Sequence, residues 1–277
     1  MNNSQYINQY KAPNPQDSNL HLFEILIGSV NYDLINENSD KDYKTFVLPN
    51  KNDIYFGRRA NMVSLSAELD NEYKDVRDFA EALFKSNPAY LEMLFSKEIN
   101  ILVKEPLKIK KVKEFLDFFI SQREEIVTFN LPKLWSSSYG TMSKLGKEYL
   151  SSENHKKIYH IVRIVDLLEK YENNSFKNYG SLLVPNIETK KLLMNIKEKK
   201  YNNEELIKFL NNALLTMKNL EKSYKKIDNT CDKEYSKYIL KTMELMDLNY
   251  LTFPFEDQPK INEDLKLKYS YHFEKTI

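Results

Sequence analysis

Apolar positions fall into two regimes along the chain. In the first hundred residues they come in short runs. LHLFEILIG, residues 20–28, is an apolar run ending in glycine, and its length and isoleucine content predict a buried strand. KDYKTFVLP, residues 41–49, alternates Tyr43, Phe46 and Leu48 with charged positions and predicts a second strand. Residues 50–61 hold Asn, Asp and Gly and read as a loop or hairpin, and NMVSLSAEL, residues 61–69, reads as a third strand. From Tyr73 onward the period lengthens. Val76, Phe79, Ala80, Leu83 and Phe84 fall at helical spacing until Asn87-Pro88 interrupts them, and AYLEMLFS (89–96) and INILVK (99–104) follow.

Beyond about residue 108 the period is helical. Val112, Phe115, Leu116 and Phe119 share a face; so do Ile158, Ile161, Val162, Val165 and Leu168, and then Leu206, Phe209, Leu210, Ala213, Leu214 and Met217. Residues 172–188, with Asn-Asn, Gly180 and Pro185, read as a connecting loop. The pattern predicts an α+β protein in four parts: a polar N-terminal arm (1–19), a mixed α/β unit (20–107), an α-helical unit (108–250) and a non-repetitive tail (251–277).

Composition narrows the class. The 277 residues are 42% hydrophobic and 29% charged, as in a globular protein. Lys plus Arg is 41 and Asp plus Glu is 40, so the formal charge of +1 argues against a strongly basic, non-specific nucleic-acid binder. Only Arg58, Arg59, Arg77, Arg123 and Arg163 are arginines, which draws attention to each wherever a forked phosphate contact is needed. The single cysteine, Cys231, excludes an intrachain disulfide and a cysteine zinc cluster, and a reducing, cytoplasmic compartment is the simplest expectation. The N-terminal residues carry no signal-peptide pattern, no apolar stretch has the length of a membrane span, and no membrane partner is expected. No phosphate-binding loop of the form G-x-x-x-x-G-K-[ST] occurs.

The chemistry-bearing stretch is ILIGSVNYDLINENSDKDYKTFV, residues 25–47. Gly28-Ser29 follows the first strand directly. Gly28 permits a tight turn whose amides can approach phosphate oxygens, and Ser29 adds a hydroxyl donor. Asp40 and Asp42 sit two residues apart at the second strand, a spacing that puts both on one side. Two close carboxylates repel unless a cation lies between them, and magnesium takes such hard oxygen ligands together with substrate phosphates. A second cluster, Lys157, His160 and Arg163, falls at neighbouring positions of one predicted helix and suits phosphate; its bland counterpart is a surface basic stripe or a core histidine beside a salt-bridged arginine. Trp135, Tyr139 and Gly140 read as core in preference to a base-stacking site, and Arg58, Arg59 and Arg77 as loop and helix-start decoration.

Gly-Ser, then Asp-x-Asp on the next strand, resembles the signature of nucleotidyltransferases of the DNA polymerase β superfamily. More narrowly, DVRDFAEALFKSNPAYLEMLFS (75–96), HKKIYHIVRIVDLLE (155–169) and ETKKLLMNIKEKKYNNEELIKFL (188–210) resemble segments of the RNA-repair-pathway-associated (YcgL-like) family of predicted nucleotidyltransferases. The likeness covers roughly residues 20–225. It implies a nucleotidyltransferase-type mixed sheet with flanking helices, followed by a helical domain. It also implies a third carboxylate on a nearby strand, for which Asp70 leads, with Glu72 and Glu68 behind it, and two magnesium ions, or manganese, held by Asp40, Asp42 and Asp70. The implied reaction transfers a nucleoside monophosphate from a nucleoside triphosphate to an acceptor, an RNA end being favoured over DNA, with pyrophosphate released. A non-catalytic nucleotide- or RNA-binding module and a protein-adenylylating enzyme are the competing readings.

Overall fold

The computed structural model describes residues 19–35, 41–60, 62–66, 69–226 and 232–249. Residues 1–18 of the N-terminal arm, Asp40, Glu68, Cys231 and the tail therefore lie outside the described residues.

Five strands form one mixed sheet: β1 (Leu20–Ile27), β2 (Asp42–Leu48), β3 (Met62–Ser66), β4 (Leu69–Asp75) and β5 (Ile99–Ile101), in the order β3-β4-β2-β1-β5. β1 lies at the centre of the β2–β1–β5 group and pairs antiparallel with both neighbours. Its apolar run follows from that position, because Leu22, Phe23, Ile25 and Leu26 are all buried and both faces are covered. β2 and β4 pair in parallel, with Lys44 opposite Glu72, and β3 closes the edge antiparallel to β4.

The segment expected to loop at 50–61 instead contains a short helix, α1 (Lys51–Tyr55), whose start is fixed by the Asn50 side chain accepting from the Asp53 amide. The helical period expected from Tyr73 begins three residues later. β4 runs to Asp75, and Asp75 then caps α2 (Val76–Phe84) through the Arg77 amide. AYLEMLFS contributes α3 (Pro88–Met93), with Pro88 in its first turn and Asn87 as cap.

From Pro106 the chain is helical, as the period predicts: α4 (Pro106–Ser121), α5 (Arg123–Thr128), α6 (Leu131–Ser152), α7 (His155–Asn173), α8 (Tyr179–Leu182), α9 (Ile187–Lys197), α10 (Asn203–Lys225) and α11 (Asp232–Met246). The expected loop at 172–188 thus holds the four-residue α8. Gly180 within α8 lies so close to Phe95 that an added Cβ would come within 2.4 Å of the ring.

An aromatic cluster joins the strands to the helices. Phe23 stacks on Phe46 at 5.0 Å between ring centroids; Phe79 of α2 meets Phe46 edge-on at 5.1 Å; Phe115 of α4 lies 5.8 Å from Phe79. One connected hydrophobic core runs from Leu22 to Leu248. Trp135 belongs to it: the indole is buried, donates to the Met217 carbonyl at 2.8 Å and stacks on Tyr139. Among the described residues no helix is long and apolar enough to cross a membrane.

Candidate functional site: a pocket between the sheet and the helical half

Alternate residues of a strand share a face. The face of β2 that carries Phe46 into the aromatic cluster carries Lys44 and then Asp42 toward the strand's start. There the covering helices part, and a cavity of about 630 Å³ opens. Its sheet-side wall is formed by Ile27, Gly28, Ser29, Asp42 and Lys44. Its far wall comes from α7 and the end of α9: His155, Lys156, Tyr159, His160, Arg163, Lys197 and Lys199.

The link from Gly28 to Asp42 is direct. Ile27 pairs with Asp42 across β1 and β2. The chain then leaves the sheet through Gly28, whose φ of 80° lies in the left-handed region open to glycine. A Cβ built on Gly28 would stand 3.0 Å from Asp42 Oδ2, so glycine is required both by backbone angle and by the approach of the carboxylate. A turn of 3-10 helix, Gly28–Tyr32, carries Ser29 into the pocket wall. Asn31 anchors that turn by donating to the Leu26 carbonyl at 2.6 Å and accepting from the Lys97 amide at 3.2 Å.

The predicted residues are therefore brought together in large part. Gly28, Ser29, Asp42, His160 and Arg163 line one cavity, although 121 residues separate Asp42 from Arg163. Among the three candidates for a third carboxylate, Glu72 bonds Lys44 at 2.9 Å and Lys74 at 2.8 Å. Burial works against its charge, yet these two lysines prevail and hold its carboxyl below the usual range. Asp70 belongs to β4, and extending the Lys44–Glu72 register by two residues sets position 70 level with position 42. Among the described residues no group of three His, Cys, Asp or Glu side chains has metal-binding spacing; Asp40 lies outside that set, as does the Asp70 side chain.

Lys157 requires a correction. Its ammonium pairs with Glu148 at 2.5 Å, and it is absent from the pocket wall, where Lys156 stands instead. The helical phase explains this. Lys156, Tyr159, His160 and Arg163 are at i, i+3, i+4 and i+7, a single stripe, whereas Lys157 is about 120° from Arg163 around the axis. The Asn154 side chain fixes the start of the helix by accepting from the Lys156 amide at 3.0 Å.

Arg163 and His160 differ in kind from an exposed phosphate grip. Arg163 is buried and donates to Glu92 of α3 at 3.0 Å; its guanidinium also lies 4.1 Å from the centroid of the Tyr32 ring. The Tyr32 hydroxyl donates to the other oxygen of Glu92. Burial opposes the charge on Arg163, but Glu92 outweighs it and keeps the guanidinium above its ordinary range. Burial, and then the cations Arg163, Lys156 and Lys157, push His160 down to about 3, so its imidazole is neutral at physiological pH. Glu92 was hidden in the sequence by its place inside an apolar run, where it reads as an ordinary outward-facing helix residue.

The remaining arginines engage partners outside the pocket, Arg123 lying 5.1 Å from the centroid of the Phe95 ring. Arg58 pairs with Asp53 at 2.7 Å, Arg59 with Asp78 at 3.2 Å, and Arg77 with buried Asp75 at 2.7 Å. Taken together, the cavity wall has five cationic side chains (Lys44, Lys156, Arg163, Lys197 and Lys199) and two carboxylates (Asp42 and Glu92), in a chain whose net charge is only +1. Glu72 pairs with Lys44 and Glu92 with Arg163, which leaves Lys156, Lys197 and Lys199 to outweigh Asp42, and such a wall favours an anionic ligand. No protein-family model, curated protein or solved structure matches the chain.

Proposed function

We propose that the cavity is the active site of a phosphoryl-group enzyme of the nucleotidyltransferase class. More specifically, it transfers a nucleoside monophosphate from a nucleoside triphosphate to an acceptor hydroxyl. The observation that carries this reading is the seating of the Asp42 carboxylate against Gly28, at the mouth of a cation-rich pocket. A carboxylate beside a glycine turn suits a site where a polyphosphate is gripped beside a divalent ion.

In this reading Gly28 and Ser29 orient the triphosphate, and Lys156 meets its charge from the far wall. Asp42, together with Asp40 and Asp70, would hold magnesium, which when bound offsets the charge on the phosphates. The acceptor oxygen bonds to the α-phosphorus as the bond to the β-phosphate oxygen breaks, pyrophosphate leaves, and the hydroxyl proton passes to Asp70. Neutral His160 supplies a hydrogen bond, not a charge. A non-catalytic nucleotide-binding module is the second reading; the engagement of Glu72 by Lys44 and Lys74 favours it, because catalysis then depends on Asp70 as the third carboxylate.

The test is pyrophosphate release with each of the four ribonucleoside triphosphates, magnesium, and separate pools of RNA, DNA and protein acceptors. Wild type is expected to release pyrophosphate with at least one combination, and Asp42→Asn to lose about 100-fold or more, the scale for removing a key electrostatic stabiliser. Equal, negligible release by both proteins with every combination refutes the enzyme reading. Label appearing on protein alone would identify an adenylylating enzyme.

A further inference from the structure

Lys44 is the cavity cation whose setting is least like that of a surface lysine. It lies on the same face of β2 as Asp42, two residues further on, and alternate residues of a strand stand about 6.8 Å apart. Its side chain is only 9% exposed, and it lines the cavity. Lysine is rarely buried without a partner, and the partner here is Glu72, directly opposite on parallel β4. Lys44 holds Glu72 Oε2 at 2.9 Å, and Lys74, two residues along β4, holds Oε1 at 2.8 Å. Two ammonium groups thus share one carboxylate, and both of its oxygens are engaged. The trio carries one surplus positive charge. Lys74 is 23% exposed and has water to meet its charge, so the surplus falls inside the cavity, on Lys44. That ammonium also stands 5.1 Å from the centroid of the Tyr90 ring. Glu72 takes one of its three donors, which leaves two for a phosphate oxygen in the cavity.

We infer that Lys44 is a cation built into the phosphate site, in the place of a second metal, so that the chain takes one exchangeable divalent ion and not two. Glu72 cannot ligate an ion while each of its oxygens holds an ammonium group. What a second ion would supply, a positive charge beside Asp42 that meets the phosphates, Lys44 supplies from the strand itself. A tethered ammonium is not removed by a chelator, and it stays in place between ligands. Its surplus charge is costly to bury until an anion meets it, which makes a polyphosphate the natural complement of this wall. The single ion is the one held at Asp42 in the transfer reading above, on which this role of Lys44 rests. It departs from the pair of ions that the family likeness implies.

The experiment uses the full chain at low ionic strength. Electron paramagnetic resonance counts bound manganese(II) in the presence of one equivalent of a slowly hydrolysed triphosphate analogue. Separate titrations measure the affinity for manganese(II) alone and for inorganic pyrophosphate in the presence of a chelator. Wild type is expected to hold one manganese ion per chain. Lys44→Met removes the charge and keeps the length. Even at the dielectric constant of water, a unit charge about 7 Å from a divalent ion changes its binding by about 7-fold. The variant should therefore bind manganese at least about 5-fold more tightly and pyrophosphate at least about 5-fold more weakly. Lys44→Arg, which keeps the charge, should restore most of the pyrophosphate affinity. Lys74→Gln, at a partly exposed position, cancels the same surplus and should shift both affinities in the same senses even where the buried variants misfold. The opposite signs are diagnostic, because a lysine that only braces the sheet would on removal weaken both ligands or neither. Two manganese ions per wild-type chain, no pyrophosphate binding by wild type, or pyrophosphate affinity unchanged in both Lys44→Met and Lys74→Gln overturns the role. So does a joint loss of manganese and pyrophosphate binding in those variants. Release of pyrophosphate from a triphosphate by wild type would keep the transfer reading in any of these cases. The expected affinities without any such release would strike that reading alone.

Discussion

Glu92 is the residue whose replacement tests the physical account of the pocket most severely. It is buried on α3 and holds two partners from distant parts of the chain, Tyr32 beside the Gly28 turn and Arg163 on α7. Glu92→Gln keeps the size and one acceptor but removes the charge, leaving the Arg163 guanidinium buried without its counter-ion. Breaking a buried ion pair from one side costs about 3–5 kcal/mol. At roughly 2–4 °C per kcal/mol for a chain of this size, the melting temperature should fall by about 6–20 °C. The loss is specific to the unmatched charge. The double variant Glu92→Met/Arg163→Met replaces the pair with apolar volume and should recover most of it. Tyr32→Phe, which keeps the ring under Arg163 and removes one hydrogen bond, should cost only about 1 kcal/mol. Scanning calorimetry on the four proteins decides the matter. A shift under about 2 °C for Glu92→Gln, or a double variant no better than the single, would show that the three side chains do not act as one unit.

Two further outcomes follow from the same wall. His160 titrates near 3 in the folded chain against 6.5 in the unfolded one, so the unfolded state binds more protons between those values. Its contribution to stability is complete above about pH 6.5 and is lost as pH falls toward 3, at up to about 1.4 kcal/mol per pH unit; His160→Gln should flatten that part of the urea-denaturation pH profile, and an imidazole NMR titration with a midpoint near 6.5 would contradict the burial. Gly28→Ala forces a methyl group into a left-handed backbone at a cost of about 1–2 kcal/mol and against Asp42 Oδ2. Calorimetry should show a modest fall in melting temperature, and titration with a slowly hydrolysed triphosphate analogue at least a 10-fold weaker affinity; unchanged affinity would mean the turn is not the phosphate grip.

How far the chain could be read in advance depended on how local each signal is. β1 and β2 were legible because their apolar runs are buried where they lie, and Gly28 with Asp42 was legible because each stands at the end of such a run. β4 was not. Its sequence, LDNEYKD, carries four charged residues, and Glu72 is accommodated only because Lys44 from the neighbouring strand and Lys74 from its own bond it. That cross-strand pairing has no trace in a linear pattern. The helical period placed α7 correctly, and strict use of its phase would have chosen Lys156 over Lys157. The Glu92–Arg163 pair spans 71 residues, and nothing near either residue announces the other.

The cavity wall draws on six separate stretches of chain, 27–32, 42–44, 87–93, 141–145, 154–164 and 197–199. During synthesis, then, no nascent chain can own the finished cavity until residue 199 has left the ribosome. Fragments ending before α7 hold the carboxylate side without the opposing lysines. Any ligand that stabilises the chain through this cavity acts only after α9 has been made.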